Sequence, residues 1–363
     1  MTNISQCDII KANEKERIST MKKLKYLVVD VETATLPFAD EIALDSEQKK
    51  KIAIARPLVY DIGWVIVDRK GNIIKKANYL IQETFFVPSI FNTAYYKKKR
   101  PIYMKFLRDG KIASKLWDEV INEFVEDCES VDYVGAYNAM FDFDKAIPFT
   151  ELYINKLYSD DYTEWEKIQY ILCKKIAKEP YKKPIEKKFD NMNFNFRKKK
   201  YPLFDLWGMV VNDLINTDSY RTLCLDKKMI TESGEYFKTS AESSYRYVKK
   251  HFGFDEAHTA LADAEIEAEL LVKILKKKAV TQGIEYFPFR NLGYTDDFLY
   301  EQYHKNKVKS EYIETVIETM RAKIPCYDEK NNYRKKLEKK VRDLEILLMI
   351  AHEEEAKKIK KAH

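Results

Sequence analysis

The order of segments in this chain predicts an α/β protein built on a mixed, layered sheet. Three observations carry that reading. Residues 24–31 form an apolar run that reads as a buried strand. Residues 59–81, VYDIGWVIVDRKGNIIKKANYLI, read as two strands joined at Arg69-Lys70-Gly71-Asn72, a hairpin signal. From residue 114 onward, helical periodicity alternates with short strands. Antiparallel strands first, and strands alternating with helices afterwards, make a sheet of mixed direction.

Each later element has its own pattern. SKLWDEVINEFVEDC (114–128) is helical, with Leu116, Val120, Phe124 and Val125 on one stripe and Ser114 in the capping position. VDYVGAYN (131–138) is a short strand, followed by a helix from Phe141, and YPLFDLWGMVV (201–211) is a strand passing into a helix. AESSYRYVKKHFG (241–253) is a helix that Gly253 can end. HTALADAEIEAELLVKIL (258–275) is another, with Ile266, Leu270 and Ile274 spaced by four. These elements place one domain over 24–280, with insertions at about 34–58 and 150–200. A loosely ordered leader, 1–23, precedes it, and a charged helical extension, 281–363, follows. Leu337, Val341, Leu344, Leu348 and Ala351 keep 4-3-4-3 spacing for only two heptads, which suits an ordinary packing helix better than a coiled coil. The extension is a candidate surface for protein partners.

Composition narrows the class. The chain has 363 residues, 45% hydrophobic and 34% charged, with nine glycines and ten prolines, so long flexible linkers are not expected. A net charge of +6 permits a polyanionic partner without demanding one. Cys7, Cys128, Cys173, Cys224 and Cys326 are scattered, with no Cys-x-x-Cys pair, which argues for a reducing compartment and against zinc or a disulfide framework. No apolar run reaches membrane-spanning length, and the first twenty residues lack an apolar signal core. The expectation is a soluble, cytoplasmic protein with no membrane association.

The stretch VVDVETATLPF (28–38) drives Val28 and Val29 toward a core and then sets Asp30 and Glu32 at the end of the same strand. Alternation points both carboxylates to one side. There they repel each other and lose solvation, so a positive partner, a divalent cation, would offset the cost. A strand running out into a polar loop would also account for two acids. Two later segments add to the pattern. In YNAMFDFDK, Asn138 and Asp142 lie four apart at a helix entry, and in HTALADAE, His258 precedes Asp263 by five. If Thr259 caps that helix, His258 sits in the loop before it and can swing over the same site. Taken singly, Asp142 and Asp263 read equally as first-turn acids favoured by the helix dipole.

Together these residues resemble the DnaQ-like family of 3′–5′ exonucleases, the DEDD superfamily of the ribonuclease-H-like fold. Asp-x-Glu on the first strand matches Asp30 and Glu32. Asn-x-x-Phe-Asp matches Asn138, Phe141 and Asp142, and His-x4-Asp matches His258 and Asp263, the mark of the histidine (DEDDh) subclass. The likeness covers roughly residues 24–278. It implies a mixed five-stranded sheet flanked by helices; the insertions are longer than the family's, and the charged helical extension lies outside the likeness. One departure is Thr33-Ala34-Thr35, where family members often carry Thr-x-Gly. Asp205 is read as structural or as a support behind the ligands, since the motifs already supply four.

The resemblance implies a catalytic set of Asp30, Glu32, Asp142, Asp263 and His258. The four acids would hold two Mg²⁺ or Mn²⁺ ions, and such pairs sit about 3.5–4 Å apart. His258 would act as general base, a task suited to a group titrating near neutrality. The product would be a nucleoside 5′-monophosphate. Thr33, Leu36, Phe38, Asn138 and Phe141 are candidates for the terminal-nucleotide pocket, with plain packing the alternative for Leu36 and Phe38. YKKPIEKKFDNMNFNFRKKK (181–200) holds eight basic and two acidic residues with phenylalanines interleaved. That is the pattern of single-strand binding, so Phe194, Phe196, Lys198, Lys199 and Lys200 are candidate nucleic-acid contacts, or else a solvated insert docked on the core. YYKKKRPIYMKF (95–106) has the same character. Single-stranded DNA is the favoured partner. An exoribonuclease on RNA and a catalytically silent binding or recruiting module are the alternatives.

Overall fold

The structure is a computed structural model that describes residues 24–37, 45–179, 188–305 and 309–362. The chain divides into two compact units, Met1–Met209 with Asp255–Tyr286, and Val210–Phe254 with Phe287–His363. This boundary differs from the continuous 24–280 segment read from the sequence. Residues 210–254 share their packing with the C-terminal segment.

The first unit is a mixed sheet. Its central strands are β1 (Lys25–Thr35), β2 (Pro57–Asp68), β3 (Ile73–Ile81), β5 (Tyr133–Ala136) and β8 (Lys199–Asp205), in the spatial order β3-β2-β1-β5-β8. β2 is antiparallel to both β1 and β3, whereas β5 runs parallel to β1 and β8 parallel to β5. The sequence order of antiparallel strands followed by alternation is thus realised. Four short strands enlarge the expected five to nine: β4 (Ala113–Lys115) beside β3, β6 (Lys188–Asp190), β7 (Asn193–Phe196) and β9 (Gly283–Glu285) on the other side.

β2 is buried over almost its whole length, which explains its near-continuous apolar sequence: it is central, with both faces covered. The turn after it is the expected one. Gly71 adopts φ +91°, and the Asp68 carboxylate accepts from the Lys70 and Asn72 amides. Leu27, Val29 and Val31 join a core with Trp117, Val120 and Phe124 of helix α3 (Trp117–Glu129). That helix starts three residues later than its predicted cap. Ser114 lies in β4, and the Trp117 amide instead donates to the buried Glu83 carboxylate. On the sheet's other side, helix α8 (Ala260–Leu275) packs on β1 and β2. At Gly63 a Cβ would lie 2.3 Å from the Leu261 nitrogen, so only glycine admits this close approach.

In the second unit, α7 (Ala241–Lys249) ends at left-handed Lys250, before Gly253 is reached, so Gly253 is not the expected stop. Helices α10 (Ser310–Lys323) and α11 (Asn332–Ala362) pack together. Leu337, Val341, Leu344 and Ala351 of the expected stripe are buried and Leu348 is half-buried, with the neighbouring Leu347 buried as well, as in a packing helix. No helix among the described residues is long and apolar enough to cross a membrane.

Candidate metal centre

The site forms where β1 runs out. Asp30 and Glu32 are half-buried on the α8 side of the sheet, two residues apart as alternation requires. Glu32 pairs across the ladder with Asp61 of β2, and the register shifts immediately after Glu32. Such a bulge re-aims side chains and is common beside functional sites. Asp142 follows β5, at the junction of a short turn of helix and the wider-coiled Asp142–Ala146 segment. It is buried, and its charge bears on Asp30. Asp263 stands in the first turn of α8 and is also buried.

Oxygens of Asp30, Glu32 and Asp263 lie within 4.8 Å of one another. The first and third sequence motifs, more than two hundred residues apart, therefore meet. Burial raises all four carboxyl groups, and repulsion from neighbouring carboxylates adds to it. Asp30 is pushed well above the usual range by burial and by Asp142, Glu256 and Asp61. Glu32 is raised by burial, then by Asp30, Asp61 and Asp263, with Lys99 opposing. Asp142 is raised chiefly by burial, and Asp263 is pushed up to about 9 by burial, Asp30 and Glu256. One oxygen of Asp263, Oδ1, is buried without a hydrogen-bond partner among the described residues. Hard oxygen donors in excess of nearby cations, one of them unsatisfied, fit a divalent ion of the Mg²⁺ or Mn²⁺ kind.

His258 occupies the loop before α8, in the left-handed region at φ +49°. Two contacts hold it there. Its ring stacks on Tyr96 at 4.5 Å between centroids, and the Lys99 ammonium donates to the adjoining Ala257 carbonyl. Its Nδ1 is 3.4 Å from a Glu256 oxygen and 4.0 Å from Asp263 Oδ2. Thr259 does stand at the cap position, as the sequence suggested, but its side chain makes no capping bond. Asp61 does that work instead: its carboxylate accepts from the Ala260 amide at 3.0 Å and from the Tyr103 hydroxyl at 2.9 Å.

Several of these groups escaped the sequence reading. Asp61, pushed up to about 6 mainly by burial, is a lone acid inside an apolar strand, and that isolation was its signal. Glu267 follows Asp263 by one helical turn; it is buried, accepts from the Tyr137 amide, and is raised by burial and by Asp30, Asp142 and Asp263. Glu256 gave no signal beyond its nearness to His258. Tyr96 and Lys99 belong to the basic aromatic stretch 95–106, which reaches the site. Asp205 is structural as expected: its two oxygens accept from the Ala139 and Gly208 amides and hold the turn that carries Asp142.

The expected substrate contacts fare unevenly. Asn138 is exposed with φ +69°, Phe141 is half-buried against the core, and Thr33 is half-buried just past the bulge. Leu36 is a correction: it is buried in the core and cannot line a nucleotide pocket. Phe38 lies outside the described residues, as do 180–187. Phe194 and Phe196 are corrections too. Both are buried, stacked on each other at 5.3 Å, with Phe194 edge-on to Phe143 at 4.7 Å, so neither ring offers a face to a base. Lys198, Lys199 and Lys200 sit at the turn and start of β8, where Lys199 pairs with Glu129 at the end of α3. Because β8 and β5 are parallel, that is the sheet end opposite Asp142; Lys199 and Asp205 lie six residue steps apart along the strand, about 20 Å.

Compared with protein-family models, curated proteins and solved structures, the chain gives no match.

Proposed function

We propose that this protein is a metal-dependent 3′–5′ exonuclease of the DnaQ-like DEDDh kind, on a ribonuclease-H-like sheet. The observation that carries the reading is the meeting of Asp30, Glu32 and Asp263 at one strand end, with Asp142 beside them and His258 over Asp263. A strand end with acids needs none of this, and a silent module would have no use for four acids held together at a cost in burial. Asp30, Glu32, Asp142 and Asp263 would hold the ions. When bound, a pair of divalent ions supplies charge stabilisation for the attacking and leaving oxygens of phosphodiester hydrolysis.

The remaining steps belong to the chain. His258 accepts the proton of the attacking water and is kept near Asp263 by the Tyr96 stack and the Lys99 clamp. Lys99 also lowers the cost of charging Glu32 and Asp263. Asp61 and Asp205 position, respectively, the start of α8 and the turn before Asp142. The proposed substrate is nucleic acid, with single-stranded DNA favoured and RNA the alternative.

The test is purified protein with Mg²⁺ or Mn²⁺ and 5′-labelled single-stranded DNA, duplex DNA and RNA. Stepwise shortening from the 3′ end with release of 5′-monophosphates is expected, abolished by Asp142→Asn with the fold intact. No shortening of any substrate, or equal activity from Asp142→Asn, would overturn the proposal.

A further inference from the structure

We propose that Glu256, His258 and Asp263 form a second cation site, selective for a borderline ion such as Zn²⁺, that competes for His258 and Asp263 and so switches the site off. The three offer one nitrogen and two carboxylate oxygens within 4.8 Å of one another. Two ligands each about 2.0–2.1 Å from a tetrahedral ion stand about 3.3 Å apart. His258 Nδ1 and the Glu256 oxygen are already 3.4 Å apart; Nδ1 and Asp263 Oδ2, at 4.0 Å, need to close by about 0.7 Å. The Asp263 carboxylate is more than nine-tenths buried, with Oδ1 unsatisfied among the described residues. Oδ2 is the oxygen nearest His258, and the carboxylate shared by the two groups keeps in Oδ1 an acceptor that no described donor fills.

Donor chemistry separates this site from the neighbouring one. Asp30, Glu32 and Asp263 give oxygens alone, which suits Mg²⁺ or Mn²⁺, whereas an imidazole nitrogen suits Zn²⁺ far better than Mg²⁺. Three protein ligands with a fourth position open to water is a familiar zinc arrangement. Asp263 is common to both groups, so filling one depletes the other. Only the inhibitory consequence rests on the exonuclease reading; binding of the ion does not.

The experiment is a calorimetric titration of the metal-free full chain with Zn²⁺ alone. Wild type should bind, Glu256→Gln and His258→Ala should each bind at least about tenfold more weakly, and Asp30→Asn/Glu32→Gln should retain affinity. With labelled histidine, Zn²⁺ should shift the ring resonance that is missing from His258→Ala. Unchanged affinity in Glu256→Gln and His258→Ala would overturn the proposal, as would loss of binding in Asp30→Asn/Glu32→Gln or an unshifted His258 resonance. If the chain hydrolyses nothing, the titration still decides this site, whereas in an active protein micromolar Zn²⁺ should slow wild type more than Glu256→Gln.

Discussion

At Asp263 the structure sets burial and like charge against ionisation. Its folded pKa, about 9, lies above the ordinary 3.8, so the folded state holds a proton that the unfolded chain releases. The stability linked to this group is therefore complete below about pH 4 and is lost as pH rises toward 9. In chelator, Asp263→Asn should gain melting temperature relative to wild type across that window, and the gap should widen with pH. In Mg²⁺ or Mn²⁺ the trend reverses, because the ligands must be deprotonated to bind, and the rise in wild-type melting temperature on adding metal should grow with pH. A gap independent of pH would show that the carboxylate is not strained by its neighbours. His258 makes a different demand. His258→Ala should lower the single-turnover rate by about 10²–10⁴ fold, the usual worth of general acid–base catalysis. A wild-type rate would reduce His258 to a loop residue stacked on Tyr96.

Between elements, the decisive contact is α8 against β2. Gly63→Ala places a methyl group 2.3 Å from the Leu261 backbone, so helix and strand must separate. A cost of about 1–3 kcal/mol in denaturant unfolding is expected, the scale of an overpacked core. Metal affinity should fall as well, since Asp263 rides on that helix; native stability in Gly63→Ala would contradict the packing. The β7–β8 hairpin yields the opposite forecast. Converting Lys198, Lys199 and Lys200 to Ser should leave substrate affinity and its salt dependence unchanged, because these residues lie at the far end of the sheet. A log–log salt slope reduced by about 0.7 per lost contact would restore the guiding role. This contrast marks what was legible in the chain. Strand and helix order and the acids at element ends announce themselves through period and short spacing. Which end of a sheet a lysine run occupies depends on strand pairing, which no local pattern encodes. Phe194 and Phe196 did carry a signal in the alternation of NFNF, which buries alternate residues of a strand. Basic neighbours made those rings look like a binding platform.

For the whole chain, residues 300–363 carry none of the motifs, yet the packing of the second unit makes them indispensable to it. Residues 210–254 have their core partners in the C-terminal segment. Phe237 is fully buried with its ring 5.7 Å from Phe298, and a Cβ on Gly234 would touch Met320 of α10. Glu235, 2% exposed, is paired with Lys336 of α11 at 2.9 Å and bonded by the Tyr333 hydroxyl. Truncation at residue 300 strips that carboxylate of its partners and uncovers the apolar surface that α10 and α11 had covered. Each large apolar side chain uncovered costs about 1.5–3 kcal/mol, and an unpaired buried charge costs about 3–5 kcal/mol. These losses match the total stability of an ordinary domain. The truncated protein should therefore be insoluble, or soluble with a lost cooperative melt, strong dye binding and protease cuts within 210–254. A smaller change separates packing from bulk loss: Lys336→Ala should lower stability while leaving the protein soluble, with cuts again confined to 210–254 and 287–363. A truncated chain that melts cooperatively at the wild-type temperature would show that 210–254 folds without the C-terminal helices.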